Sequence, residues 1–92
     1  MPYFVYMLTN FKKNVLYIGL TGNLAERVAQ HKSGQVEGFT RKYNVNSLIY
    51  FEQFDDITEA KARERNLKKW KRDWKEKLVN QSNPEWNEIL IV

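Results

Sequence analysis

The chain has ninety-two residues, with fifteen Lys and Arg against eleven Asp and Glu for a formal charge of +4; 42% of it is hydrophobic and 14% aromatic, enough for one modest core. This excludes an intrinsically disordered chain and predicts one small domain, residues 1–92, whose moderately basic balance suits a polyanionic partner. The absence of cysteine excludes disulfides and thiolate metal sites, and a lone histidine excludes a conventional structural zinc centre, so any metal must be a hard cation on oxygen ligands. No stretch reaches membrane-spanning length, and MPYFVYMLTN lacks the basic start of a signal peptide, so a cytoplasmic address is expected.

Val5–Leu8 and Val15–Ile18 are β-branched and aromatic runs separated by the polar segment Thr9 to Asn14, which predicts a hairpin. With a loop centred between Phe11 and Lys12, opposed residues sum to 23, so Tyr6 should face Tyr17 on one side of the sheet. Gly19 and Gly22 allow a sharp turn, Asn23 is a good N-cap, and Leu24 to His31 should be helical, with Arg27 and His31 four apart on one face. Taken singly, two tyrosines on a sheet are more often packing than chemistry, and a lone Arg or His is more often a solvated or boundary residue. Ser33-Gly34 closes the helix, and Gln35 to Asn46 reads as a mobile polar loop. Its Phe39-Thr40-Arg41-Lys42-Tyr43 cluster would suit a nucleic-acid backbone, though an ordinary surface loop explains it equally. Ser47–Phe54 is a third strand that must join the hairpin, on an edge the sequence does not specify.

Thr58 is the N-cap candidate for a long helix from Glu59 to about Arg72, with Asp73 as a break before a second stretch, Trp74 to about Asn80. Gln81 to Pro84 is turn chemistry, and Pro84 could open a short final helix, Glu85 to Leu90. In the long helix Ile57, Ala60 and Leu67 form an apolar stripe on which Glu64 also falls. A carboxylate there needs a partner, either an ion pair with an arginine such as Arg27 or a divalent cation. Nine of the fifteen basic residues lie between Lys61 and Lys77. Lys61, Arg65, Lys68, Arg72 and Lys75 repeat at four, three, four and three, a phosphate track or a solvated face if the helix continues. Trp70, Trp74 and Trp86 are most simply core anchors of the C-terminal helices.

In combination, Tyr6, the intact Tyr17-Ile18-Gly19, and Arg27 and His31 on the following helix resemble the GIY-YIG nuclease superfamily, especially its small stand-alone bacterial members. Where that family has Gly-Ile-Tyr, this chain has Phe4-Val5-Tyr6. The resemblance implies an α/β (α+β) fold with a small three-stranded antiparallel sheet flanked by helices, and a metal-dependent endonuclease hydrolysing DNA, branched or damaged DNA included, in repair or recombination. It implies that Glu64, in Glu64-Arg65-Asn66-Leu67-Lys68, holds one Mg²⁺ or Mn²⁺ and that Arg27 stabilises phosphate charge. Tyr6 and Tyr17 would position or deprotonate water, beside His31 and a downstream asparagine, Asn83 or alternatively Asn80. Arg27 and the metal would have to lower a phenol's pKa for it to act as the base. Nucleic-acid contacts fall to Lys61, Arg65, Lys68, Arg41 and Lys42. A homodimer or protein partner is compatible with this reading. The competing function is a nucleic-acid-binding module on the same fold that cleaves poorly or not at all.

Overall fold

The middle of the sheet is β1, Tyr3–Thr9, whose residues from Val5 onward are all buried because helices cover both of its faces. It pairs antiparallel with β2, Leu16–Thr21, on one side and with β3, Ser47–Phe54, on the other. This computed structural model describes residues 2–36 and 38–91. Among the described residues there are four helices: α1, Leu24–Lys32; α2, Phe39–Lys42; α3, Ile57–Lys69; and α4, Arg72–Ser82. The architecture is the expected three-stranded antiparallel sheet with flanking helices, and the third strand joins at the free edge of β1.

The alternation of β1 divides the core. Val5 and Met7 join Ile18, Ile49, Ala60, Leu67 and Val79 on the side of α3 and α4, whereas Tyr6 and Leu8 join Leu24, Val28, Val45 and Leu48 on the side of α1. β3 carries a bulge: Met7 pairs Tyr50 and Leu8 pairs Leu48, so Ile49 is the extra residue.

Several local expectations are corrected. The hairpin pairs Thr9 with Leu16 and Tyr6 with Gly19, a register sum of 25 instead of 23. The Asn10 carboxamide accepts from the Asn14 and Val15 amides, and Lys13 takes a left-handed φ of 60°, so Val15 is drawn into the turn and the strands shift by one pair. Parity is kept, which leaves Tyr17 on the Tyr6 side, diagonal to it. Asp56, not Thr58, caps α3: its side chain accepts from the Thr58 amide at 3.1 Å. The break after α3 falls at Trp70 and Lys71, both extended, and not at Asp73. The basic residues therefore do not form one continuous helical face; Arg72 and Lys75 belong to α4, and Arg72 is engaged by Glu76 and the Asn14 carbonyl. Residues 85–90 form no helix. Trp86 adopts a left-handed φ of 56°, and the Ile89 amide bonds the Leu48 carbonyl, so the tail crosses toward the α1 side. The supposed loop contains α2.

No helix among the described residues is long and apolar enough to cross a membrane.

Candidate active site

Gly19 is where the site begins. Tyr6 stands opposite it on β1, and with no side chain at Gly19 the Tyr6 ring lies down across β2; a Cβ built on Gly19 would fall under 3.0 Å from three atoms of that ring. The ring is 1% exposed, and its hydroxyl meets His31 Nε2 at 3.2 Å. His31, in the last turn of α1, is itself buried, and its Nδ1 lies 3.2 Å from the Thr40 hydroxyl of α2. Tyr17 completes a triangle of rings, with centroids 6.4 Å from Tyr6 and 5.7 Å from His31; Tyr6 and His31 are 6.0 Å apart.

Arg27 lies one turn before His31 on the same helix face, with its guanidinium held by Gln30 at 3.2 Å. Burial pushes the Tyr6 phenol above its ordinary pKa; Arg27 opposes this through a hydrogen bond and its charge, while Tyr17 and Glu64 reinforce it. The phenol is thus protonated at neutral pH, and Arg27 alone does not lower it as a tyrosinate base would require of Arg27 and a metal together. Burial, aided by Arg27, pushes His31 below the ordinary imidazole value, so its ring is neutral with one donor and one acceptor nitrogen.

Glu64 stands on α3, whose buried residues pack on the Val5 and Met7 face of the sheet, and its charge acts on the Tyr6 phenol. Its side chain is 22% exposed, and its salt bridge is to Lys68 Nζ at 3.2 Å, one turn along the same helix. Among the described ion pairs none joins Glu64 to Arg27, which removes the buried-pair alternative and leaves Glu64 restrained by an exposed surface lysine.

Asn83 is elsewhere. Its Nδ2 donates to the Ile49 carbonyl at the bulge and to the Asn87 carbonyl, and its Oδ1 accepts from the Asn87 amide, at 3.0, 2.8 and 3.0 Å. It ties the tail to β3, on the edge away from β2. Asn80 accepts from the Trp86 indole at 2.7 Å. Lys61, Arg65 and Lys68 are exposed on α3, and Arg41 and Lys42 are exposed on α2, where Phe39 and Tyr43 also face solvent. Sequence reasoning gives Thr40 and Gln30 no individual role. Gln30 carries the signal of i,i+3 spacing from Arg27, whereas Thr40 meets His31 only because α2 forms.

The fold and the buried tyrosine–histidine contact accord with one class of protein, the GIY-YIG catalytic domain family, whose model matches residues 2–77. The chain belongs to that family, a family of nucleases. It is similar to UPF0213 proteins. The one from Clostridium perfringens is 38% identical over 77 residues, covering 84% of this chain and 82% of its own. The one from Natronomonas pharaonis is 36% identical over 77 residues, covering 84% and 89%. The solution NMR structure of a UPF0213 protein from Bacillus halodurans matches with a TM-score of 0.60 at 28% identity, over 94% of this chain and 90% of that one.

Proposed function

We propose that the protein is a divalent-metal-dependent endonuclease that hydrolyses DNA phosphodiester bonds, acts as one cytoplasmic domain, and serves DNA repair or recombination. One observation carries this reading: the Tyr6 hydroxyl lies 3.2 Å from His31 Nε2 inside a triangle of Tyr6, Tyr17 and His31 rings, with Arg27 one turn before His31 on the same helix.

The donor set fits a hard cation. The described residues contain no group of three or more His, Cys, Asp or Glu able to enclose a metal, and Glu64 offers one partly exposed carboxylate. Mg²⁺ is commonly held by one or two carboxylates, water and substrate phosphate, and Mn²⁺ accepts the same oxygen ligands. Bound at Glu64, such a cation supplies positive charge to the phosphorane-like transition state and to the leaving oxygen. Arg27 binds the scissile phosphate and neutralises its growing charge. Tyr6 need not ionise: its oxygen accepts a proton from the attacking water as its own proton passes to His31 Nε2, while Nδ1–H donates to Thr40 and fixes the tautomer. Tyr17 walls the relay and orients Tyr6. Lys61, Arg65 and Lys68 with Arg41 and Lys42 hold flanking phosphates. Asn83 has no part in this mechanism.

The direct test is a Mg²⁺ or Mn²⁺ cleavage assay across duplex, nicked, flapped and branched DNA, and RNA, with Glu64→Ala as control. Binding without cleavage in every case would favour a non-catalytic module.

Tyr6→Phe should lower cleavage by about 10²-fold or more, as loss of a general base does. It should also cost about 1–3 kcal/mol, since a buried ring nitrogen of His31 loses its partner. In the wild type the rate should fall on the acid side, where protonated His31 can no longer accept. Because burial depresses that pKa, the limb lies below about 6.5. The same depression means that the unfolded chain takes up the proton first, so His31 contributes stability above the ordinary value that is lost as pH falls through the folded one. A rate that climbs only near the phenol range would instead mean tyrosinate chemistry.

DNA affinity should fall with salt, and Lys61→Glu with Arg65→Glu should lower the log–log slope by about 0.9 for each duplex phosphate that is no longer neutralised. An unchanged slope would make the α3 cations a solvated face.

A further inference from the structure

Glu64 sits on α3 between two buried anchors and next to neither. Ala60 and Leu67 are fully buried, but between them Lys61, Ala62, Arg65 and Asn66 are exposed, and only Arg63 and Glu64 turn inward. Neighbours on a helix lie about 100° apart, so these two residues straddle the apolar stripe. Glu64 lies on the other flank of the stripe, 22% exposed. Arg63 points toward β3, where its Nε and Nη2 form a fork on the two Glu52 carboxylate oxygens at 2.8 and 2.9 Å. Tyr50, two residues earlier on the same face of β3, donates its hydroxyl to that carboxylate as well. The Arg63 guanidinium also lies over the Trp70 ring, 5.2 Å from its centroid, at the residue where α3 ends.

A small alanine and a leucine two turns apart fix the depth of a helix better than its rotation about its own axis. A two-pronged arginine–carboxylate pair between them resists that rotation, because both prongs must break together. The pair is held ionised: burial pushes the Glu52 carboxyl up, but the hydrogen bonds from Arg63 and Tyr50 outweigh it and keep it below the usual range. Glu64 has its ion pair with Lys68, which rides on the same helix and so fixes nothing relative to β1 or α1.

We infer that Glu52, Arg63 and Tyr50 form a positioning latch that sets the roll of α3 and thereby the place of the Glu64 carboxylate relative to Tyr6 and Arg27. The inference rests on the nuclease reading above, in which Glu64 holds the cation. None of the three touches the reacting atoms; they act through Glu64.

The test is Mn²⁺ binding to the whole chain, followed by electron paramagnetic resonance of the free ion, together with cleavage at rising Mn²⁺ concentration. Arg63→Lys keeps the charge and removes the fork; Glu52→Gln removes the charge and keeps the shape. Both should weaken Mn²⁺ binding by about 10–100-fold, the range for groups that support a metal ligand. Both should also regain part of their cleavage at high Mn²⁺, which Glu64→Gln should not. Val79→Ala, in the same core but outside the latch, should melt earlier yet bind Mn²⁺ as the wild type does. Arg63→Lys and Glu52→Gln that bind Mn²⁺ like the wild type, with or without a lower melting temperature, overturn the latch and leave the nuclease reading intact. A wild type that neither binds Mn²⁺ nor cleaves overturns both.

Discussion

Glu64→Gln is expected to remove at least about 10²-fold of metal-dependent cleavage while leaving the metal-free protein about as stable as the wild type. The two halves of this result have different causes. The carboxamide keeps the volume but not the charge, so a cation loses its anionic ligand and the reaction loses the charge that ligand places beside the phosphate. Stability is little affected because the bond that is lost is a Lys68 pair on one helix face, and such i,i+4 pairs are worth about 0.2–0.5 kcal/mol. A buried ion pair between Glu64 and Arg27 would behave differently: breaking one costs about 3–5 kcal/mol. Thermal melts with and without Mg²⁺ separate these cases. A ligand at ten times its Kd stabilises by about 1.4 kcal/mol through mass action, which the wild type should display and Glu64→Gln should not. A metal-free mutant that melts far below the wild type, in a protein indifferent to Mg²⁺, would sink the assignment.

How far the sequence discloses the site depends on whether a feature is fixed by parity or by detail. Tyr6 and Tyr17 share a face under either register, because a shift of one whole pair keeps side-chain parity; their proximity is therefore legible although the loop geometry is not. Arg27 and His31 share a helix face by spacing alone. Glu64 is legible as a carboxylate on an apolar stripe with Lys68 one helical turn on, but its direction requires the placement of α3. Features set by side-chain capture of backbone groups are hidden. The Asn10 carboxamide draws Val15 into the turn, and the Asn83 carboxamide takes up the Ile49 carbonyl at a bulge that no pattern announces. Asn83, like its alternative Asn80, is named for the site only through the family resemblance; its carboxamide fastens the tail. Trp70 has helix-forming neighbours on both sides, yet its ring is needed against the core and under Arg63, and the helix ends there.

Gly19→Ala, a single added methyl, should disable the site more thoroughly than its size suggests. Gly19 has no need of glycine for its backbone, since its φ is not in the left-handed region; it is glycine because the Tyr6 ring occupies the space where a Cβ would go. An alanine there would meet Tyr6 Cζ, Cε2 and the hydroxyl oxygen all closer than 3.0 Å, and neither partner can yield easily. The glycine belongs to a paired strand, and the ring is buried against His31 and Tyr17. Overpacking of this kind costs about 1–3 kcal/mol. The ring can escape only by withdrawing its hydroxyl from His31, so cleavage should fall as in Tyr6→Phe, by about 10²-fold or more. Gly22→Ala is the internal control for stability, because nothing lies within 4 Å of a Cβ at Gly22 and the change should be neutral or stabilising by about 0.4–1 kcal/mol. The decisive measurement is a double-mutant cycle by denaturant unfolding: with Tyr6→Ala already in place the ring is gone, and the added cost of Gly19→Ala should largely vanish. Equal costs in both backgrounds would mean that Gly19 serves the strand itself and not the tyrosine laid across it.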